Sequence, residues 1–158
     1  HNEQGSMGLE INHPTDLSIA ELYLKLNFMM KNDRTFGNEM VVAGGPIHSE
    51  RGFILHKNTL NHFQHTYKVT DTLSMTTSAD VVETLGSTFA PEKYLVALGC
   101  ASWSAGQLEK EIIDNAWLVA PASEQILFDT PYEERYIVAN QSLGIHPHNF
   151  VMAQVGHS

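Results

Sequence analysis

LVALGCASWSAGQLEKEIIDNAWLVAP, residues 95–121, decides how the rest of the chain reads. Tyr94-Leu95-Val96-Ala97-Leu98 is an apolar run short enough for a buried strand. Gly99 breaks it, and Gly106 follows close behind. Ser104-Ala105-Gly106-Gln107 has the form of a capping box, a hydroxyl at the N-cap and a Gln three residues on. Leu108, Ile112 and Ala116 then recur at helical spacing, with Ile113 beside them. Trp117-Leu118-Val119-Ala120 is apolar again and stops at Pro121. The stretch predicts strand, tight turn, helix, strand, with Trp103 in the turn and Trp117 after the helix.

Working toward the N-terminus, Gly8-Leu9-Glu10-Ile11-Asn12 alternates as a half-buried strand and is ended by His13-Pro14. Asp16 is placed to cap a helix running to about Met30, with Leu17, Ala20, Leu24 and Phe28 on its apolar arc. Met40-Val41-Val42-Ala43 and Phe53-Ile54-Leu55 are β-prone runs, separated by Gly44-Gly45-Pro46 and the turn-forming Ser49-Glu50-Arg51-Gly52. Thr66 to Thr70 and Leu73 to Thr76 read as two more strands. Thr77-Ser78-Ala79-Asp80 opens a helix to Leu85, stopped by Gly86. Beyond Pro121, residues 123–128 predict a helical turn, and Thr130-Pro131-Tyr132-Glu133 starts a helix that Gly144 ends. Residues 146–158 carry no period and read as an irregular tail. The connections between Gly44 and Phe53 and between Val69 and Leu73 are too short for helical crossovers, so pairing is mostly antiparallel and the fold class is α+β.

Five blocks in order, covering nearly the whole chain, resemble the AlgH/YqgE family of bacterial proteins without an established activity. They are Gly5-Ser6-Met7-Gly8-Leu9-Glu10-Ile11-Asn12, Gly44-Gly45-Pro46, Arg51-Gly52-Phe53-Ile54-Leu55-His56, Thr77-Ser78-Ala79-Asp80-Val81-Val82-Glu83, and the stretch from Leu98 to Pro121. The resemblance implies a bent, split sheet closing toward a pseudo-barrel, with helices packed outside. Family members usually carry a further N-terminal segment; this chain opens at His1-Asn2-Glu3 without Met and reads as one domain, residues 1–158, lacking that start. Cys100 stands where many relatives have an aromatic residue, so the resemblance gives it no role.

Nine Lys and Arg face eighteen Asp and Glu, for a formal net charge of −9. The cations are scattered, and a chain this acidic repels a polyanion unless folding gathers them on one face. Direct nucleic-acid binding is therefore disfavoured. No apolar run approaches a membrane span, which argues against membrane insertion. A single cysteine cannot form an internal disulfide, in keeping with a cytoplasmic location.

Several residues suit chemistry, each with a structural alternative. Gly44-Gly45-Pro46 offers either backbone N–H groups to an anion or a tight turn. Arg51 suits a carboxylate or phosphate, or an acidic neighbour; His56 suits a ligand contact or a strand end. Cys100 is either a nucleophile in a turn or a buried inert thiol. Gln107, Glu111 and Asp114 share a helical face, which serves acid–base work or simply meets solvent. Trp103 reads equally as groove wall or core, whereas Trp117 reads as a core plug. His62/His65 and His146/His148 lack a third ligand at a recognisable metal spacing. There is no HExxH, Walker-type phosphate loop or GxSxG, so no metal, cofactor or catalytic residue is assigned.

Two functions remain. The resemblance implies a transcriptional regulator, and the charge then requires it to act through a protein or small-molecule partner. The alternative is a ligand-binding module, or less well an enzyme, with a groove built from Gly44, Gly45, Pro46, Arg51, His56, Cys100, Trp103 and Gln107.

Overall fold

The computed structural model describes residues 1–29 and 33–146. Met30 and all but the first residue of the 146–158 tail fall outside them. Its organising element is β7, Tyr94–Ser104, an eleven-residue strand that begins in the apolar run singled out above. The remaining strands are β1 (Gly5–Gly8), β2 (Pro14–Ser18), β3 (Met40–Ala43), β4 (Ile47–Lys57), β5 (Thr66–Lys68) and β6 (Leu73–Thr76). The order across the main path is β2-β3-β7-β4-β6-β5, with β1 pairing β7 off that path. Only β3 runs parallel to β7 among these pairs; the others are antiparallel.

β7 changes partners along its length, which splits the sheet. Its first half lies between β3 and β4, whereas residues 101–104 pair with β1. The change falls at Gly99, whose φ of 76° is open to glycine and costly for other residues. Gly99 therefore bends the strand and does not end it as the sequence suggests. A Cβ here would overlap the Gly45 carbonyl, and a Cβ on Gly44 or Gly45 would overlap the backbone of Gly99 or Cys100. The two glycine segments thus cross at backbone contact. The sheet bends without closing into a barrel: β2 and β5 are its ends among the described residues.

Both faces of the central strands are apolar where Val41-Val42 of β3, Phe53-Ile54-Leu55 of β4 and Leu95-Val96-Ala97 of β7 run side by side as continuous hydrophobic stretches. One face presents Val41, Ile54 and Val96 to Ile19, Val81, Val82 and Leu85. The latter come from α1 (Ile19–Lys25) and α2 (Ala79–Thr84) with its C-cap, Leu85. Each such side chain, fully removed from water, contributes about 1.5–3 kcal/mol. The other face presents Val42, Phe53, Leu95, Ala97 and Cys100, met by Leu9, Ile11, Met75, Phe128 and Tyr132. Loops and short helical turns cover this second face: a π-turn at Gln125–Asp129, a 3-10 turn at Tyr132–Glu134, then α4, Arg135–Ser142.

Four local expectations are corrected. Residues 14–18 form β2, so Ser18 and not Asp16 caps α1: Ser18 Oγ accepts from the Glu21 N–H at 3.2 Å, and the Glu21 carboxylate accepts from the Ser18 N–H at 2.9 Å. The first strand ends at Gly8, and Leu9 to Asn12 leaves it, held by the Glu10 N–H on the Gly44 carbonyl. The capping-box contact at Ser104 forms, with Gln107 Oε1 accepting from the Ser104 N–H, but α3 (Gln107–Ile113) starts only after left-handed Gly106. Residues 117–120 are not a strand. No described strand runs beside them, and Leu118 and Val119 are 65% and 66% exposed.

Candidate functional site

The sequence-selected residues fall into three places. At the glycine crossing, the Gly44 N–H donates to the Leu98 carbonyl at 2.8 Å, so it is already used within the sheet. Pro46 is exposed beside it. Cys100 is 3% exposed, and burial pushes its thiol pKa up, opposed by the nearby Arg51 guanidinium. A thiol so placed is a poor nucleophile. Arg51 itself is exposed and, among the described residues, no carboxylate lies within ion-pairing distance of it.

His56 belongs elsewhere, on the helix-covered face. It is 1% exposed, its Nδ1–H donates to the Lys57 carbonyl, and its Nε2 accepts from the Thr76 hydroxyl, both at 2.8 Å. Phe63 packs edge-on against the ring. Both ring nitrogens are thereby occupied within the protein.

Trp103 and Gln107 meet at a third place, around Glu111. One Glu111 oxygen accepts from the Trp103 indole N–H at 3.0 Å and the Trp117 indole N–H at 2.7 Å. The other accepts from Gln107 Nε2 at 3.0 Å. The Gln107 contact follows from helix geometry, since Gln107 and Glu111 are one turn apart on α3. The Trp117 bond, then Gln107 and Trp103, hold the Glu111 carboxyl below the ordinary glutamate range. The indoles stack edge to face with centroids 5.8 Å apart. Trp117 is 49% exposed, so it is no core plug; it closes over α3 and fastens the chain that leaves that helix.

Two grooves open on the loop-covered face. The first, about 740 Å³, has a floor of Phe53, Leu55 and Met75 with Leu9 and Leu127 beside it, and Arg51 on its wall. The second, about 710 Å³, lies between the 116–120 stretch and α4. Ile11 is the one residue common to both linings. Trp117, Leu118, Ile126 and Ala139 make the second groove apolar, and Arg135 lines it. In the sequence Arg135 is one scattered cation among nine. Its signal is an Arg placed four residues before Ala139 and beside Tyr136, on the apolar side of a helix.

Among the described residues no group of three His, Cys, Asp or Glu side chains is placed to hold a metal, and no helix is long and apolar enough to cross a membrane.

A split, mostly antiparallel sheet with helices covering one face and grooves on the other defines an α+β scaffold. The sequence profile of the AlgH-like family matches residues 1–148, and the chain belongs to that family. A UPF0301 protein of Haemophilus influenzae (strain PittEE) is 85% identical over the whole chain, which covers 85% of that protein. A UPF0301 protein of Pasteurella multocida is 64% identical over 157 residues, 99% of this chain and 84% of that one. The solution structure of the AlgH protein from Pseudomonas aeruginosa superposes with a TM-score of 0.75 at 44% identity, over all of this chain and 82% of that one.

Proposed function

We propose that the chain is a regulatory binding module that works through a small-molecule or protein partner, contacted at the Arg51 groove, and not through duplex DNA. The observation that supports this reading is an apolar-floored groove of about 740 Å³ bearing an Arg with no carboxylate in ion-pairing reach among the described residues. Grooves of this size with few polar groups suit small-molecule recognition, and a guanidinium adds a bidentate anchor for a carboxylate or phosphate. The net charge of −9 opposes a duplex polyanion.

Fluorescence anisotropy with labelled duplex DNA, at low and near-physiological salt, tests the negative half. No binding at either salt is expected; tight binding that falls steeply with salt would overturn the proposal. A thermal-shift screen of carboxylate and phosphate metabolites, repeated on Arg51→Gln, tests the positive half. Hits are expected to weaken in Arg51→Gln, and hits that persist unchanged would remove Arg51 from the site.

A further inference from the structure

The Arg51 groove leaves unexplained a cation buried in the neighbouring one. Arg135 is 5% exposed. Burial of a charged group is costly unless it is paired, and this chain has twice as many acids as Lys and Arg to pair it with. Yet among the described residues no carboxylate lies within ion-pairing distance of Arg135. Neutral groups hold it instead. Nε donates to the Thr130 carbonyl at 3.0 Å and Nη1 to the Ile11 carbonyl. The guanidinium lies over the Tyr132 ring, 4.5 Å from its centroid. These contacts fix its orientation and use two of its three nitrogens; among the described residues Nη2 has no acceptor.

We propose that the groove beside α4 is a binding site for a small amphipathic carboxylate, its acid group on Arg135 and its apolar body against Trp117, Leu118 and Ile126. A guanidinium held by carbonyls on one edge is already oriented, so a carboxylate that meets it spends little ordering free energy. Asn12 and Asn140 also line the groove and supply amide donors for a second oxygen. Alanines at 116, 120 and 139 keep the walls low, leaving about 710 Å³, within the range of small-molecule sites. A single buried cation and apolar walls match one negative charge on a hydrophobic body. They do not match a polyphosphate, which needs several cations and is repelled by the chain's net charge.

The Glu111 clasp ties this site to a signal. It holds Trp117, which forms part of the groove wall, so an occupant changes the surroundings of that indole directly. Trp103 is absent from the groove lining.

The test uses the full chain with two pairs of probes: octanoate against octanol, and 3-phenylpropionate against 3-phenylpropanol. Isothermal titration is expected to show each acid binding roughly tenfold or more tightly than its alcohol, the worth of a charge-assisted contact to a buried guanidinium. Ala139→Phe, which fills the groove from α4, is expected to weaken the acids by a similar factor. In Trp103→Phe the remaining indole emission shifts on adding octanoate, and in Trp117→Phe it does not. Arg135→Gln abolishes the preference for acid over alcohol. Should that variant fail to fold, the acid–alcohol comparison on the unaltered chain and Ala139→Phe decide between binding at this groove and its absence. Alcohols binding as well as acids, wild-type affinity in Ala139→Phe, or no binding of either acid at millimolar concentration would each overturn the proposal. Loss of acid binding in Arg51→Gln would overturn it too, placing the site in the other groove.

Discussion

The two faces of the sheet are made from the same strands and treated in opposite ways. Toward α1 and α2, alternate residues of β3, β4 and β7 meet aliphatic side chains, and His56 there is held between Lys57 and Thr76. Toward the loops, the other alternate residues meet short turns that leave two grooves, one carrying Arg51 and the other Arg135. The difference teaches that apolar patterning alone does not separate a sealed face from a receptive one. What separates them is whether the covering helices set buried aliphatic side chains directly onto the strands, and whether cations are left beside apolar surface without acids.

The largest effect should come from cutting into the sealed face. Leu85→Ala is expected to cost about 2–5 kcal/mol in denaturant unfolding, because the packed surroundings cannot collapse onto the space. Leu118→Ala on the open face is expected to stay within about 0.5 kcal/mol. Equal losses would break the distinction.

The glycine crossing gives the next effect. Gly99→Ala combines a left-handed backbone with overlap onto the Gly45 carbonyl and should cost more than the roughly 1–2 kcal/mol of the backbone conformation alone. Gly106→Ala shares the same φ of 76° but meets nothing within 4 Å, so only the conformational part remains. If the two unfold alike, the backbone contact is not what fixes the bend in β7.

Cys100 sharpens the boundary of the open face. It sits near Arg51 yet is buried, with its thiol pKa pushed up, so a thiol-specific reagent should label it far more slowly in the native protein than after denaturation. Equal rates would show that the open face extends through to the strand itself.

The smallest effect concerns the Glu111 clasp. Its carboxyl pKa is lowered in the fold, so the clasp contributes fully above the unfolded-state pKa of a glutamate. That contribution is lost as pH falls through the depressed folded value. Tryptophan emission should therefore show a step below the ordinary glutamate range, and Glu111→Gln should remove it. A step that persists in Glu111→Gln belongs to another group.

Much of this architecture was legible in residues 94–121 and the short β-prone runs, since period and glycine placement are local signals. β3 and β6 fall at the boundaries the runs predict. The failures share a cause: they depend on partners distant in sequence. Residues 117–120 have strand composition but no neighbouring strand among the described residues. Gly99 reads as a stop because nothing local shows that Gly44 and Gly45 cross there. His56 looks available until Thr76, twenty residues on, takes its ring nitrogen. Of the site, Arg51 was visible as a cation beside a glycine, although residues 49–52 read as a turn and lie inside β4, where pairing with the distant β7 extends the strand. Arg135 was not, because burial without an acid is a property of the folded surface.

Backbone amide chemical-shift mapping during an octanoate titration tests the central claim most directly. Shifts are expected to be confined to residues around 11–12, 116–120, 126 and 135–143, with α1 and α2 silent. Shifts centred on Tyr23, Val81 or His56, on the sealed face, would contradict it.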